Sequence, residues 1–388
     1  MTRRAVRFEG TFAQGKWRAA GYKGASMGTL RARGVVVRAP GARATVEDLV
    51  IDPPGAGEVL VRILATGICH SDLHTKQGNF GVEFPYLLGH EATGVIEAVG
   101  VGVPESRVGE TVTLCWRAPC GHCRFCTSGR PTHCAAPVTA APRMRTADGL
   151  HLGRVLGLGT FATHTVVASA QAIPIDPALR PEATCLLGCA VSTGVGAAIY
   201  AADVRPGSTV AVFGCGAVGL SVVQGARLAH AARIIAVDRV PAKLEHAKRF
   251  GATDVIDARE GNVPKRIKQL TGTGVDYAFE AVGLPETLAQ AMASCDLGGT
   301  CVFIGVPNPK ADVTLSLSRM FYSRISLKMT FYGDILPSRD FALFSKLYQG
   351  GKLDLDGLVT ARVSLDEVEE AFEAMERGEV LRSVIVMP

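Results

Sequence analysis

The chain has 388 residues, of which 47% are hydrophobic and 20% are charged, and its formal net charge is +5. These values are typical of a globular protein with about two domains and a large core. The charge is too small and too scattered to favour nucleic acid, and no apolar run is long enough to span a bilayer. We therefore expect neither a nucleic-acid partner nor a membrane partner.

The first 26 residues differ in composition from the rest of the chain. Against one acid, Glu9, they carry six basic residues: Arg3, Arg4, Arg7, Lys16, Arg18 and Lys23. They lack the apolar segment of a secretory signal. We expect a disordered extension, or an upstream start that precedes a true beginning at Met27, with a targeting peptide of another kind as the alternative.

The predicted elements change in character along the chain. Short strands separated by Gly and Pro turns are predicted over 34–38, 57–66, 94–99 and 111–114, which indicates a β-rich part. From about residue 190, apolar strands over 208–213, 233–238, 275–279 and 300–305 alternate with helices, of which 217–229 and 241–250 are the clearest. This alternation predicts a parallel sheet that is covered on both faces.

The C-terminal segment predicts one more helix and one more strand. Ser364 and Glu367 form a capping box, and Gly378 suits the residue after the helix end. An apolar stripe of four residues lies between them: Val368, Ala371, Phe372 and Met375. The final LRSVIVM is predicted to be a strand.

Four of the eleven cysteines, Cys120, Cys123, Cys126 and Cys134, follow the spacing C-x2-C-x2-C-x7-C. In a long chain without a secretory signal, clustered cysteines favour metal ligands over disulfides. Four thiolates suit tetrahedral zinc and leave no open position, so we expect a structural zinc site. The alternatives are an iron–sulfur cluster, although the typical ferredoxin run C-x3-C-P is missing, and free thiols.

Two histidines, His122 and His133, lie among these cysteines in the sequence. We expect them to be solvated neighbours of the metal rather than ligands.

Gly214, Gly216 and Gly219 form a G-x-G-x-x-G motif after a predicted strand and at the start of a predicted helix. Asp238 ends the next strand at the distance expected of the acid that binds the adenosine ribose. Such a carboxylate repels a 2′-phosphate, so we expect NAD rather than NADP.

Two neighbouring cations bear on this preference. Arg239 is the dissenting residue, because a guanidinium there tolerates the 2′-phosphate. Lys243 lies one turn into the following helix, within reach of the same ribose.

The stretch GICHSDLH, residues 67–74, suggests one corner of a second metal site. Further ligands would come from His90 or Glu91 and from Cys185 or Cys189, and three protein ligands with one open position is the catalytic zinc arrangement. Spacing alone does not bring these stretches together and does not choose within either pair. The alternative is that Cys69 is a small buried hydrophobic residue.

Five motifs in order carry a resemblance: GICHSDLH, GHE at 89–91, the four-cysteine loop, GCAVSTG at 188–194 and GCGAVG at 214–219. From about residue 34 to its end, the chain resembles the zinc-dependent alcohol dehydrogenases of the medium-chain dehydrogenase/reductase superfamily. The resemblance implies a GroES-like, β-rich catalytic domain and a Rossmann domain, hence an α/β fold, with the active site between them. We expect the catalytic domain over 27–190 and 331–388 and the Rossmann domain over 191–330.

The resemblance also assigns roles to single residues. The catalytic zinc ligands fall on Cys69, His90 and Cys189, and Cys185 becomes a neighbour. The remaining roles are these: Glu91 approaches the zinc, Asp72 orients the ligand histidine, Thr193 and Val218 hold the nicotinamide, and His70 and Arg382 lie near the pyrophosphate.

The implied reaction is reversible hydride transfer between a primary aromatic or aliphatic alcohol and NAD. Ser71 would take the proton of an alcohol whose pKa zinc has lowered, and would pass it toward His74. Loss of turnover and metal on Cys69→Ala is the test of this assignment. A non-catalytic, NAD-binding scaffold is the remote alternative.

WRAPCGHCRFCTSGRPTHC, FYGDILPSRDF and VLRSVIVM are similar to an actinobacterial branch that includes mycothiol-dependent formaldehyde dehydrogenases. Oxidation of S-hydroxymethyl-mycothiol is therefore the alternative function. Members of that kind carry Thr at the position of Ser71 and lack a histidine at that of His74, which favours a free alcohol. The resemblance further implies a cytoplasmic homodimer or homotetramer.

Overall fold

A computed structural model of the protein describes residues 28–80 and 83–388. The N-terminal extension expected over residues 1–26, and the alternative start at Met27, lie outside the described residues.

The described residues form strands and helices that are numbered here in chain order. The strands are β1 (Leu30–Val37), β2 (Thr45–Ile51), β3 (Glu58–Gly67), β4 (Tyr86–Leu87), β5 (Glu91–Val99), β6 (Thr111–Leu114), β7 (Met144–Thr146), β8 (Gly153–Arg154), β9 (His164–Ala168), β10 (Ala172–Pro174), β11 (Thr209–Phe213), β12 (Arg233–Asp238), β13 (Asp254–Asp257), β14 (Val275–Glu280), β15 (Cys295–Phe303), β16 (Ser326–Met329), β17 (Val359–Val363) and β18 (Arg382–Val386). The helices are α1 (His70–Lys76), α2 (Arg124–Thr127), α3 (Pro181–Thr184), α4 (Ala190–Gly196), α5 (Ala217–Leu228), α6 (Pro241–Phe250), α7 (Val263–Thr271), α8 (Pro285–Ser294), α9 (Leu317–Ser323), α10 (Pro337–Gln349) and α11 (Val368–Glu376).

The six strands β11 to β16 form one parallel sheet in the order β13-β12-β11-β14-β15-β16. Read along the chain this is 3-2-1-4-5-6, the doubly wound Rossmann order, whose ligand crevice lies where the order reverses. The reversal falls between β11 and β14, and the G-x-G-x-x-G loop follows β11.

Both faces of this sheet are buried, as its apolar strands predict. Val210 and Val212 of β11 pack into the cluster that holds residues of α5 and α6, whereas Ala211 and Phe213 pack with residues of α7 and α8. Successive strand residues point to opposite faces, so the helices cover the sheet from both sides.

The remaining strands build two further sheets, of five and seven strands, which form the β-rich part. Their orders are β7-β2-β1-β4-β8 and β10-β6-β5-β3-β18-β17, with β9 also paired to β3. The last strand of the chain, β18, runs antiparallel to β3, so the C-terminal segment returns to the β-rich part. The sheets confirm the expected GroES-like and Rossmann combination, while the expected domain limits stay predictions.

The two parts share one large apolar cluster. It contains Ala65 of β3 and Val384 of β18 together with Val210 of β11, and Val191 of α4 lies in the same cluster. Within the described residues no single helix is both long and apolar enough to cross a membrane; the bent pair Pro181–Gly188 and Ala190–Ala201 meets that criterion only as a pair.

The predicted C-terminal helix begins and ends as its sequence indicates. Glu367 accepts hydrogen bonds from the backbone N–H and the hydroxyl of Ser364, and α11 follows. Gly378, at φ +72°, adopts the left-handed conformation that favours glycine after a helix end.

Candidate active site

The four-cysteine loop brings its sulfur atoms together. The Sγ atoms of Cys120, Cys123, Cys126 and Cys134 lie within 4.8 Å of one another. The Sγ of Cys123 is 3.6 Å from that of Cys126 and 3.9 Å from that of Cys134, close to the spacing of about 3.8 Å that tetrahedral Zn–S bonds impose. All eleven cysteines are free thiols. The donor set and its spacing therefore fit zinc.

His122 and His133 take no part in that donor set. The Nδ1 of His122 lies 2.9 Å from the Cys120 carbonyl oxygen, and the Nδ1 of His133 lies 3.0 Å from the Thr132 hydroxyl. Both side chains are exposed, as expected of solvated neighbours.

A second donor cluster forms from three distant parts of the chain. Cys69 follows β3, His90 precedes β5, Glu91 begins it, and Cys189 precedes α4, yet their ligand atoms lie within 4.8 Å of one another. The thiol of Cys185 points elsewhere and donates to the Glu182 carbonyl oxygen at 3.2 Å. The structure therefore brings Cys189 rather than Cys185 to this cluster.

The orphan atoms of the cluster show that it fits a metal ion. The Nε2 of His90 and both carboxylate oxygens of Glu91 are buried and have no hydrogen-bond partner among the described residues. Buried polar atoms are normally paired. A nitrogen and two thiols within 4.8 Å of one another are the donor set of a catalytic zinc site.

Asp72 fixes the relative positions of the cluster residues through hydrogen bonds. Its carboxylate accepts hydrogen bonds from the backbone N–H groups of Cys69 at 3.0 Å and Gly89 at 2.9 Å, and its Oδ1 lies 3.1 Å from the Nδ1 of His90. With Nδ1 donating to Asp72, the Nε2 of His90 is free to bind metal. Burial alone would lower the pKa of His90, but the Asp72 carboxylate raises it well above its usual value.

Arg382 lies on the other side of the cluster. It begins β18, is buried, and donates to the Ile68 carbonyl oxygen at 2.6 Å; its second terminal nitrogen lies 3.4 Å from the Glu91 carboxylate. Burial raises the pKa of Glu91 to about 7, and Arg382 opposes that rise. The structure thus pairs Arg382 with the acid of the metal cluster, and its expected pyrophosphate contact stays a prediction.

A hydrogen bond between the two thiols of the cluster affects the pKa of Cys69. The bond from Cys189 lowers the pKa of Cys69 well below its usual value, in spite of burial, and Arg382 lowers it further. A thiolate is the form that binds metal, so this arrangement prepares Cys69 as a ligand.

The glycine loop adopts the close geometry that its sequence predicts. Gly214 has φ +94°, and a Cβ on Gly219 would lie 1.7 Å from the Gly214 carbonyl oxygen. Asp238 accepts hydrogen bonds from the backbone N–H groups of Cys215 at 2.7 Å and Val240 at 2.8 Å. Its carboxylate is therefore fixed beside the loop, where a dinucleotide's ribose is expected.

The other predicted cofactor residues surround this loop. Thr193 lies on α4 and Val218 in the first turn of α5, and the two helices approach so closely that a Cβ on Gly194 would lie 2.3 Å from the Val218 carbonyl oxygen. Arg239 is exposed, and Lys243 is half-buried on α6.

Helix α1 carries the polar residues of the opening motif. His70 is exposed at its first position, and Ser71 and His74 are half-buried. Asn79 donates to the Nδ1 of His74 at 3.0 Å. Among the described contacts, Ser71 and His74 share no hydrogen bond, although their spacing of three residues places them on one face of the helix.

An aromatic cluster beside the metal site does not follow from the sequence. The Trp116 ring centre lies 4.3 Å from that of Tyr332 and 5.0 Å from that of Phe331. The Tyr332 hydroxyl donates to the Gly188 carbonyl, next to Cys189. We call Trp116, Phe331 and Tyr332 the aromatic wall. Trp116 lies more than 200 positions before the other two residues, and a Trp beside a cysteine loop was the only local signal.

Two known protein families match successive parts of this chain. The family described as the alcohol dehydrogenase GroES-like domain matches residues 55–177, and that described as zinc-binding dehydrogenase matches residues 217–349. The chain is 37% identical, over 369 residues, to S-(hydroxymethyl)glutathione dehydrogenase of Escherichia coli O1:K1, covering 92% of this chain and all of the relative.

Two solved structures are similar over nearly the whole chain. One is an alcohol dehydrogenase zinc-binding domain protein from Burkholderia ambifaria, with TM-score 0.87 and 34% identity over 93% of this chain and all of that one. The other is benzyl alcohol dehydrogenase from Acinetobacter calcoaceticus, with TM-score 0.86 and 31% identity over 92% of this chain and all of that one. With its two zinc-compatible clusters and its dinucleotide loop, the chain therefore belongs to the zinc-dependent alcohol dehydrogenases of the medium-chain dehydrogenase/reductase superfamily, NAD-dependent oxidoreductases whose cofactors are zinc and NAD.

Proposed function

We propose that this enzyme reversibly oxidises a primary alcohol, aromatic or aliphatic, to its aldehyde with NAD. The convergence of Cys69, His90 and Cys189 carries the proposal, because these side chains meet in one buried cluster with unpaired donor atoms. Zinc bound there supplies Lewis acidity, which lowers the pKa of the alcohol.

The residues around the cluster have separate tasks in this proposal. Asp72 fixes the ring of His90 through Nδ1. Glu91 and Arg382 form an ion pair at 3.4 Å, which keeps the carboxylate close to the metal position without a protein hydrogen bond. Glu91 would therefore be placed to approach a metal ion held by Cys69, His90 and Cys189.

Ser71 and His74 are the proposed proton path from substrate to solvent. Transfer from Ser71 to His74 requires an intervening hydroxyl group or water molecule, because the described residues show no direct bond. Each residue then passes one proton outward for every hydride that leaves the alcohol.

Thr193 and Val218 are the proposed contacts of the nicotinamide, and Asp238 that of the adenosine ribose. The carboxylate of Asp238 supports a preference for NAD over NADP, since it would repel a 2′-phosphate. Lys243 lies within reach of the same ribose, and Arg382 supplies positive charge for the pyrophosphate. His70 would face that pyrophosphate too, but desolvation lowers its pKa, so it adds little charge there.

The aromatic wall supports an aromatic alcohol as the preferred substrate. Trp116 contacts both Phe331 and Tyr332, and Phe331 is largely exposed to solvent. Such faces bind a flat apolar ring well. The similar fold of benzyl alcohol dehydrogenase agrees with this substrate class.

A thiol adduct of formaldehyde is the second candidate. The relatives named S-(hydroxymethyl)glutathione dehydrogenase favour it, and the actinobacterial resemblance points to mycothiol as the thiol. Ser71 and His74 are the residues of this chain that argue for a free alcohol instead.

We further propose a homodimer or homotetramer in the cytoplasm that associates through its cofactor-binding part. In the described structure, β16 lies at one end of the parallel sheet, and apolar side chains of α9 beside it are exposed. An open strand edge with apolar neighbours is suited to pairing with a second copy.

NADH formation by the purified, zinc-loaded protein distinguishes the two substrates. One reaction contains benzyl alcohol or short-chain alcohols, and the other contains formaldehyde with mycothiol or with glutathione. Turnover without thiol is the expected result, whereas turnover only with thiol would overturn the free-alcohol proposal. Full turnover and metal content in Cys69→Ala would contradict the site assignment.

A further inference from the structure

Arg117 contacts both the four-cysteine loop and the aromatic wall, which have separate roles in the proposed function. It lies between the aromatic residue Trp116 and the four-cysteine loop. One terminal nitrogen donates to the Cys134 carbonyl oxygen at 2.6 Å. The guanidinium carbon lies 5.2 Å from the ring centre of Phe331.

The contact with Phe331 reaches the aromatic wall. Phe331 is held edge-on by Trp116 and faces the cation of Arg117. The ring is 60% exposed, so neighbouring apolar side chains do not enclose it. A cation that lies over the face of an aromatic ring is attracted to that ring electrostatically. Arg117 therefore restrains the Phe331 ring, which is otherwise loosely held.

The contact with Cys134 reaches the metal loop. Between Cys120 and Cys134 the regular structure is limited to the one-turn helix α2 and a short 3₁₀ turn at Pro131–His133. A segment with so little structure of its own is ordered chiefly by its metal. The position of the Cys134 carbonyl oxygen thus depends on the four cysteines. The orientation of the Arg117 side chain depends on them too, because it donates to that oxygen.

We propose that Arg117 is a positioning residue that sets the aromatic wall according to the state of the four-cysteine loop, and thereby governs the binding of bulky alcohols. The proposal rests on the proposed function in one respect, the placement of the alcohol beside the wall. In this arrangement the structural metal affects substrate selectivity as well as stability.

The unpaired Nε of Arg117 agrees with a role beyond packing. This atom is buried and has no hydrogen-bond partner among the described residues. A guanidinium that only anchored the loop would be expected to use its donors on the loop. Here the side chain instead divides its contacts between Cys134 and Phe331.

The chain offers a matched control in Arg124. Its guanidinium carbon lies 4.5 Å from the ring centre of Phe125, so it makes the same kind of contact. Both partners of that contact lie inside the four-cysteine loop, away from the aromatic wall. Arg124→Met therefore removes a loop cation without removing the connection.

The experiment uses the zinc-loaded, full-length protein with Trp17→Phe. The chain has two tryptophans, and Trp17 lies outside the described residues, so this change leaves Trp116 as the single emitter. Arg117→Met, Arg117→Lys and Arg124→Met are compared in this background. The readouts are zinc content, Trp116 emission with acrylamide quenching, and kcat and KM for benzyl alcohol and ethanol.

We expect Arg117→Met to retain its zinc and to shift Trp116 emission with faster quenching. KM for benzyl alcohol should rise about two- to fivefold, the effect of losing one cation–aromatic contact, while kcat and the KM for ethanol change little. Arg117→Lys should recover part of both effects. Emission and KM in Arg117→Met that equal those of Arg124→Met would overturn the proposal.

Removal of the loop metal gives an independent test. Cys134→Ser, kept only if its far-ultraviolet circular dichroism is native, should shift Trp116 emission in the same direction. The combined variant Arg117→Met/Cys134→Ser should show no larger shift than either single change, because both break one connection. Additive shifts would contradict the connection. Since emission needs no substrate, absence of all alcohol turnover would count against the proposed function alone.

Discussion

At the scale of single residues, Asp72 determines the geometry of the catalytic metal cluster. Three N–H groups converge on its carboxylate: two belong to Cys69 and His90 of the cluster, and the third belongs to Gly89, which precedes His90. The side chain is fully buried, so a neutral replacement would leave one of these donors without a partner. Metal affinity should therefore depend on Asp72 even though it is not itself a ligand.

The prediction for Asp72→Asn is selective loss of zinc. We expect about 10- to 100-fold weaker retention at the cluster, the usual effect of losing a residue that orients a ligand histidine. After dialysis against a graded chelator, elemental analysis should find only the zinc of the four-cysteine loop. Asp148→Asn, on an exposed partner of Arg38, is the control. Retention equal to that of the control would refute the role of Asp72.

Asp238 determines a second property at this scale, the choice of nicotinamide cofactor. Asn at this position keeps one acceptor for the N–H groups of Cys215 and Val240 but removes the negative charge. We expect Asp238→Asn to raise kcat/KM for NADP relative to NAD by about tenfold or more. Steady-state kinetics with both cofactors measure the ratio.

Asp254→Asn is the control for that measurement, because Asp254 lies at the start of the neighbouring strand and pairs with Arg233. Its cofactor ratio should stay that of the parent enzyme. If the ratio of kcat/KM for NADP to that for NAD is the same in Asp238→Asn as in Asp254→Asn, Asp238 does not determine the choice of cofactor.

At the scale of elements, Glu58 ties the start of β3 to two loops. Its carboxylate accepts from the backbone N–H groups of Gly55 at 2.7 Å and Ala141 at 2.8 Å, and from Arg143 at 2.8 Å. Burial would raise the pKa of Glu58, but these donors together lower it below its ordinary value of 4.5. The ionised form is therefore the one that stabilises the fold.

The consequence is a stability term that depends on pH. Because the folded pKa lies below 4.5, the contribution of Glu58 is present above pH 4.5 and is lost as pH falls through the folded pKa. We expect Glu58→Gln to cost about 1–3 kcal/mol at pH 7, and the difference to shrink as pH falls below 4.5. Thermal unfolding at several pH values measures it, with Glu105→Gln on an exposed residue as control. A difference independent of pH would contradict the role of the charge.

The elements that the sequence predicted correctly are those with strong local patterns. The apolar strands β11 and β12 and the helices α5 and α6 lie within one or two residues of their predicted limits. Short strands such as β4 and β8, each of two residues, carry no periodicity, and the exposed residues of β2 hide its alternation. Pairing with neighbours, rather than local sequence, makes these segments strands.

The residues of the site also differ in how far the sequence could predict them. The four-cysteine loop was predictable because its ligands lie within one short segment. Spacing left the choice between Cys185 and Cys189 open, and only the family resemblance pointed to Cys189, because the choice depends on which way the turn before α4 faces Glu91. Arg117 and Phe331 meet only in the folded chain, and spacing in the sequence carries no information on that contact.

At the scale of the whole molecule, one edge of the parallel sheet is open. Strand β16 pairs with β15 alone in the described structure. Apolar side chains around it are strongly exposed: Leu317 82%, Phe321 75%, Tyr322 75% and Met329 64%. Large exposed apolar side chains concentrated beside one strand often mark a surface that another molecule covers, and a second copy of the chain presents the same open edge.

We therefore predict that the enzyme sediments as a dimer or larger at micromolar concentration, and that Phe321→Asp shifts it toward the monomer. A charge placed in an apolar interface should raise the dissociation constant by about tenfold or more. Val101→Asp is the matched control, since Val101 is 81% exposed but lies in a turn of the β-rich part. Sedimentation velocity over a concentration series measures both variants. A monomeric parent would contradict the predicted association. Equal dissociation in the two variants would place the interface elsewhere, whereas a shift confined to Phe321→Asp would assign it to the open edge at β16.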